Sequence, residues 1–150
     1  MPKTRRGRRP QAKAGAERAK PTWGAPGFDE EAMPFVATLL DPNGVVSVDR
    51  VADAFCLTKF QLADILGLAR ETLYKTSRAQ APKTQARMRE MLEIISFVEP
   101  WSGGKLQAMA WYRAQPLVGF GGRTAESLVK AGHASAVRDH LDRIALGGFA

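Results

Sequence analysis

Residues 58–76 constrain the fold of this 150-residue chain more than any other stretch. Apolar residues follow helical spacing as far as Leu66, where Gly67 interrupts the pattern. A glycine here permits the left-handed backbone of a tight turn between two helices. The apolar pattern resumes beyond the glycine and continues to Leu73. The stretch therefore predicts a helix-turn-helix whose second helix begins near Ala69.

The second helix of this motif is expected to present polar side chains to solvent. They are Arg70, Glu71, Thr72, Lys75 and Arg78. Such groups can bind base edges and phosphates in the major groove, where the second helix of a DNA-binding helix-turn-helix lies. We expect Arg70, Thr72 and Lys75 to contact bases and Arg78 to contact phosphate, while Glu71 either accepts from cytosine or orients a neighbour. An ordinary pair of packed helices is the alternative interpretation.

The positive charge of the chain is concentrated at its N-terminus. The net charge is +7, and residues 1–20 hold eight of the 22 Lys and Arg side chains but only one of the 15 acidic ones. The rest of the chain therefore holds 14 basic and 14 acidic side chains and is neutral. Residues 1–27 also lack a periodic apolar face, which predicts a disordered basic arm. Such an arm either contacts DNA phosphates or only solubilises the chain.

Helical periodicity covers most of the remaining sequence, and no β-strand pattern is present. A short helix capped by Thr124 and ending at Gly132 joins longer predicted helices at 29–40, 47–55, 83–98, 105–115 and 134–146. Ser47 is the expected N-cap of the helix at 47–55. The predicted fold class is all-α. The break at 100–104 divides a helix-turn-helix domain (28–99) from a C-terminal domain (105–150).

The predicted helix at 83–98 carries a long apolar stripe. Its members are Met88, Met91, Leu92, Ile95 and Val98. The stripe suits packing against the helix-turn-helix. It also suits a homodimer interface, because helix-turn-helix proteins commonly dimerise to match two half-sites.

Residues able to support catalysis or bind metal are few. Cys56, the only cysteine, has apolar neighbours and is expected to be buried. His133 and His140 lie two turns apart on one helix, too far to share a metal ion, and are expected on the surface. Arg138 is expected to face water from the same helix, and the spacing of glycines near Gly121 matches no nucleotide-binding fingerprint. We therefore predict no catalytic residue, no metal site and no cofactor.

No membrane-targeting segment is predicted. No apolar run approaches the roughly 18 residues of a membrane span. The basic N-terminus is not followed by the apolar segment of a signal peptide. The expected location is the cytoplasm.

Two aromatic residues of the C-terminal domain are candidates for partner contact. Trp111 either anchors the local core, which is the favoured interpretation, or touches a partner. Phe149 follows two glycines near the end of the sequence. An aromatic side chain on such a flexible segment is suited to entering a partner's cleft.

The C-terminal half also resembles a known family. The matching features are Trp111, Pro116, residues 121–128, Gly132, the apolar Val137, Leu141 and Ile144, and the final Gly-Phe-Ala. Together they resemble the toxin-binding domain of Xre/MbcA/ParS-type antitoxins over residues 105–150. The predicted helix-turn-helix lies where the Xre-like domain of that family does.

This resemblance implies an antitoxin of a type II toxin–antitoxin system. Antitoxins of the family are all-α and dimeric, and their usual partner is a RES-domain toxin that degrades NAD⁺. Their C-terminal domain covers the toxin's active site, and their helix-turn-helix represses the operon by binding operator DNA. By position, the resemblance implies these toxin-binding residues: Gly122, Arg123, Thr124, Gly148, Phe149 and Ala150. The alternatives are a stand-alone transcriptional regulator with a C-terminal dimerisation or effector domain, and a DNA-binding protein without sequence preference.

Overall fold

The computed structural model of the chain describes residues 34–147, which form a bundle of helices. The helices are α1 (Pro34–Ala37), α2 (Val48–Ala54), α3 (Lys59–Leu66), α4 (Thr76–Ala79), α5 (Pro82–Ser102), α6 (Lys105–Ala114), α7 (Ala125–Lys130) and α8 (Ala134–Ala145), with a 3₁₀-helix at Arg70–Tyr74. Within this range there is no strand, and the all-α prediction is confirmed. The predicted basic arm and the start of the helix predicted at 29–40 lie outside the described residues.

Polar side chains fix where several helices begin. The predicted caps Ser47 and Thr124 each accept a hydrogen bond from the backbone N–H three residues later, at 3.2 and 3.1 Å. At the start of α3, Thr58 and Gln61 each accept a bond from the backbone N–H of the other, which forms a capping box. These local bonds determine the helix starts directly from the sequence.

The long helix α5 supplies the largest part of the core. All five residues of its predicted apolar stripe are at most 1% exposed. Buried residues from both predicted domains belong to one hydrophobic cluster. The helix also extends four residues beyond the predicted end at Val98, to Ser102, with Pro100 in its last turns. Because the stripe is buried within one chain, a homodimer would have to use another surface.

A helix and a turn are present where the sequence predicts the first half of residues 58–76. Helix α3 ends at Gly67, whose φ of +71° is the left-handed conformation expected of the turn. Leu62, Ala63, Leu66 and Leu73 are buried as predicted.

The second helix of the motif differs from the prediction. An α-helix was expected from about Ala69, but Arg70–Tyr74 is a five-residue 3₁₀-helix. Helical geometry is then interrupted at Lys75, which is extended with φ −109° and ψ 123°, before the four-residue α4. Neither element has a side-chain N-cap, because Ala69 cannot accept a hydrogen bond through its side chain and Lys75 does not. The second half of the motif therefore consists of two short pieces.

The turn at Gly67 packs closely against the C-terminal region. A Cβ built at Gly67 would lie 2.9 Å from Cγ of Lys130 in α7 and 3.3 Å from Nη1 of Arg87. The same Nη1 donates a 2.7 Å hydrogen bond to the carbonyl of Leu66 at the end of α3. The glycine therefore serves both the turn and a close approach between the two halves of the chain.

Replacing Gly67 with alanine should lower the free energy of unfolding by about 1.5 kcal/mol from the left-handed backbone alone. Displacement of Lys130 should add to this loss. Gly44→Ala is the matched control, because Gly44 has φ +83° but no atom within 4 Å of its Cβ position. Urea denaturation of both variants measures the difference. Equal losses would show that the contact with Lys130 is loose.

The burial of three residues differs from the sequence prediction. Cys56 is exposed with φ +57°, because Phe55 takes the buried position at the end of α2. His140 is only 4% exposed, since it shares the inner face of α8 with Val137. Arg138 is turned inward to Glu93 of α5 rather than facing water.

Residues 34–147 include no helix that combines the length and apolar character needed to cross a membrane.

Candidate functional site

The glycine-rich loop (residues 117–123) joins α6 to α7 and is closed by backbone hydrogen bonds. Leu117 N donates to the carbonyl oxygen of Arg123 at 2.9 Å. Phe120 N donates to Leu117 O, and Arg123 N donates to Phe120 O, both at 3.2 Å. The residues just outside the loop, Pro116 and Thr124, pair in an isolated β-bridge. The loop is therefore an ordered turn and not an extended linker.

Three glycines give the loop its shape. The φ angles of Gly119, Gly121 and Gly122 are +90°, +64° and +86°, in the region that favours glycine. A Cβ at any of the three would meet no atom within 4 Å. Glycine is needed at these positions for the backbone conformation and not for close packing.

The loop is anchored to the body of the protein by two of its side chains. Leu117 is buried, and the Phe120 ring packs edge-to-face on the His140 ring of α8 with centroids 5.8 Å apart. Between them Val118 is 66% exposed. Gly121 and Gly122 are exposed as well. An anchored loop thus presents a small apolar and backbone surface to solvent.

The predicted toxin-binding residues Arg123 and Thr124 both contact the first turn of α7. Arg123 donates from Nε to Ser127 Oγ and from Nη2 to Ser127 O, each at 3.0 Å, although the residue is exposed. Thr124 is half-buried, and its hydroxyl oxygen is used as the N-cap of α7. Arg123 can exchange its exposed bonds for a partner's carboxylate, whereas Thr124 serves mainly to hold the loop on the helix.

The remaining predicted toxin-binding residues lie outside this loop in the sequence. Trp111 on α6 is half-buried and packs against the hydrophobic cluster, a position that supports its interpretation as a core anchor. Gly148, Phe149 and Ala150 lie outside the described residues.

A charge cluster lies on α6 and α7 beside the loop. Glu126, whose side chain is 14% exposed, contacts Arg113 Nε at 3.3 Å and Lys130 Nζ at 2.7 Å. Residues 113–130 hold three basic side chains, including Arg123, and one acidic side chain. This face therefore favours a partner with acidic groups.

His140 on α8 packs against Phe120 of the glycine-rich loop, and Glu93 on α5 pairs with Arg138 of α8. Both His140 and Glu93 are buried and titratable. Burial lowers the pKa of His140, and the nearby Arg143 lowers it further. The other group is Glu93, whose carboxylate lies 3.0 Å from Arg138 Nη2. Burial raises the pKa of Glu93, and Arg138 opposes that rise.

The lowered pKa of His140 predicts a loss of stability in mild acid. The folded chain binds fewer protons than the unfolded chain once the pH falls below the ordinary histidine pKa of about 6.5. The stabilisation from neutral His140 is therefore present above that pH and is lost below it. Urea denaturation at about pH 7.5 and at about pH 5 brackets the histidine titration. The free energy of unfolding should depend less on pH in His140→Gln than in the unaltered chain. The exposed His133→Gln is the control, and an unchanged slope in His140→Gln would contradict the prediction.

The predicted DNA-binding residues lie on the 3₁₀-helix and around α4. Arg70, Glu71, Lys75 and Arg78 are exposed, and Thr72 is half-buried. Arg70 is already engaged, with Nε and Nη2 each 3.4 Å from a carboxylate oxygen of Asp64. In the part of the chain that the structure describes, Lys75 and Arg78 have no ion-pair partner. These two cations are the most available for phosphate contact.

An exposed aromatic pair beside these residues was missed in the sequence. The rings of Phe60 and Tyr74 meet edge-to-face with centroids 5.2 Å apart, and the residues are 45% and 53% exposed. Lys59 Nζ lies 5.1 Å from the Tyr74 ring centroid, and Arg70 Cζ lies 5.8 Å from that of Phe60. The sequence feature that could have revealed the pair is that both aromatic residues fall outside the apolar spacing of the buried leucines.

Comparison with protein-family models assigns the C-terminal segment. Residues 98–147 match the model of the antitoxin Xre/MbcA/ParS C-terminal toxin-binding domain. The match begins in the last turns of α5 and includes α6, the glycine-rich loop, α7 and α8. Comparisons with curated proteins and with solved structures gave no match.

The predicted resemblance is thereby confirmed for this segment. Residues 98–147 are similar to a family of antitoxin domains that bind toxins. This supports an antitoxin role for the chain and implies a toxin as its partner.

Proposed function

We propose that the chain is the antitoxin of a type II toxin–antitoxin system and neutralises a RES-domain toxin that degrades NAD⁺. The C-terminal domain would cover the toxin's active site. The observation that carries this proposal is the match of residues 98–147 to the toxin-binding domain. Occlusion of a cleft needs no catalytic group on the antitoxin, and it explains a domain built around an ordered, exposed loop.

The glycine-rich loop is suited to inhibition because it is already ordered. A preformed loop loses little conformational entropy when it binds. Gly122 allows the toxin to approach the backbone, and the Arg123 guanidinium can leave Ser127 for an acidic group of the toxin. Beyond α8, Phe149 with Gly148 and Ala150 would enter the toxin's cleft. Trp111 supports this surface from within the domain.

The second part of the proposed function is autorepression. A homodimer would bind operator DNA through the 3₁₀-helix and α4, with Lys75 and Arg78 on phosphates and Arg70, Glu71 and Thr72 nearest the bases. The exposure of four of these five residues supports the assignment. The recognition element is short, so DNA binding depends more on these few contacts than it would with a full recognition helix.

Co-expression with the neighbouring reading frame tests the proposed function. The toxin alone should arrest growth and deplete cellular NAD⁺, and the chain should restore growth and copurify with the toxin. The alternative is a stand-alone regulator, favoured only by the exposed cations of the 3₁₀-helix and α4. A chain that binds its own promoter but neither copurifies with the neighbouring product nor restores growth would establish that alternative.

A further inference from the structure

The Phe60–Tyr74 pair is an organised surface feature. Single exposed apolar residues are ordinary, but here two half-exposed aromatic rings contact each other. Lys59 and Arg70 lie over the rings, and each is also paired with a carboxylate, at 3.3 Å for Lys59–Asp49 and 3.4 Å for Arg70–Asp64. These contacts hold the pair in one orientation while its edges stay open to solvent.

The sequence segment 70–83, which includes Tyr74, is rich in basic side chains. Residues 70–83 hold four basic side chains and only one acidic side chain, Glu71. Within the described residues, Lys75, Arg78 and Lys83 are exposed and have no ion-pair partner. A polyanion is the partner whose charge complements this surface.

The geometry points to the Phe60–Tyr74 pair as an apolar contact for thymine methyl groups in the major groove of duplex DNA. This inference rests on the DNA-binding part of the proposed function and names what that surface recognises. Apolar side chains distinguish thymine by its C5 methyl group without a hydrogen bond. Tyr74 and Lys75 are adjacent in the chain, so a phosphate contact by Lys75 would bring this part of the surface to the DNA.

Under this assignment Arg70 does not contact the bases directly. The Arg70 guanidinium is held by Asp64 and lies over Phe60, so its role becomes that of supporting the ring. Arg70 is then a positioning residue, and the two aromatic residues carry the preference for thymine.

The test compares thymine with uracil, which lacks the methyl group. A duplex from the region upstream of the chain's own reading frame is first located by footprinting with the full chain. Each thymine in the footprint is then replaced by uracil, and affinity is measured by fluorescence anisotropy. Loss of one buried methyl contact should weaken binding about fourfold at one or two positions. Phe60→Ala or Tyr74→Ala should weaken binding by a similar factor and remove the effect of uracil at that position.

Two further variants separate recognition from folding. Tyr74→Phe keeps the ring and should keep the discrimination between thymine and uracil. Leu106→Ala is the matched control, since Leu106 is 49% exposed and lies on α6, outside the pair. It should bind both duplexes as the unaltered chain does. Thermal unfolding of each variant confirms that it is folded.

Three results would overturn the inference. Duplex binding that is insensitive to uracil at every position would refute it and leave the proposed DNA binding intact. Tighter binding of single strands than of the duplex would show that the rings stack on unpaired bases instead. Failure of the unaltered chain to prefer its own upstream duplex over random DNA would refute the DNA-binding part of the proposed function, and this inference with it.

Discussion

Arg138→Met is expected to lower the free energy of unfolding by about 3 kcal/mol at neutral pH. Arg138 Nη2 lies 3.0 Å from a carboxylate oxygen of Glu93, and the two side chains are only 18% and 6% exposed. Removing the guanidinium leaves a buried carboxylate without this partner. Urea denaturation at pH 7 measures the loss, a pH chosen because an ordinary glutamate, of pKa about 4.3, is charged there.

The loss should shrink in acid. Burial raises the pKa of Glu93 in the folded chain, and Arg138 opposes that rise, so the variant's Glu93 has a still higher pKa. A raised carboxyl pKa stabilises the folded chain below the unfolded value and loses that stabilisation as the pH rises through the folded value. The variant should therefore approach the unaltered chain as the pH falls towards the ordinary glutamate pKa.

Two controls identify the source of the loss. Arg143→Met removes an exposed arginine from the same helix and should change the free energy of unfolding by less than about 0.5 kcal/mol. Adding Glu93→Gln to Arg138→Met removes the charge and should recover much of the stability. A double variant no more stable than Arg138→Met would show that the loss does not come from Glu93.

Gly122→Val should weaken binding of the toxin about 30-fold. The φ of Gly122 is +86°, and holding a β-branched residue in this conformation costs about 2 kcal/mol. The glycine-rich loop escapes this strain by changing shape in the free chain, and binding must then restore the strained shape. A cost of 1.4 kcal/mol corresponds to a tenfold change in affinity. Calorimetric titration with the toxin measures the effect.

Gly132→Val is the matched control for this variant. Gly132 has φ +88° and, like Gly122, no atom within 4 Å of its Cβ position, but it lies in the turn between α7 and α8. Both variants should remain folded in thermal unfolding, and only Gly122→Val should lose toxin affinity. An equal loss of affinity in both would mean that the loop conformation is not what the toxin recognises.

Features set by neighbouring residues could be predicted from the sequence. The start of α3 follows from Thr58, the turn follows from Gly67, and the short α7 follows from Thr124, because each of these residues acts within a few positions of itself. The apolar stripe of α5 identified the core in the same way. The resemblance in the C-terminal half added the toxin-binding role, which periodicity alone does not provide.

Features set by distant contacts could not be predicted. The sequence predicts that Arg138 faces water, because no residue near it in the chain indicates a pairing with Glu93, which lies 45 positions earlier. The sequence predicts an exposed His140 because histidine is polar, although its spacing from Val137 puts it on the inner face of α8. The Phe60–Tyr74 pair forms only when α3 and the 3₁₀-helix meet.

The most direct test of the antitoxin role is a titration of toxin activity. The purified product of the neighbouring reading frame is incubated with NAD⁺ while the full chain is added in increasing amounts. We expect NAD⁺ consumption to fall in proportion to the added chain and to stop at a fixed ratio of the two proteins. Undiminished NAD⁺ consumption in the presence of excess chain, with no complex in sedimentation, would contradict the proposal that residues 98–147 bind and silence this toxin.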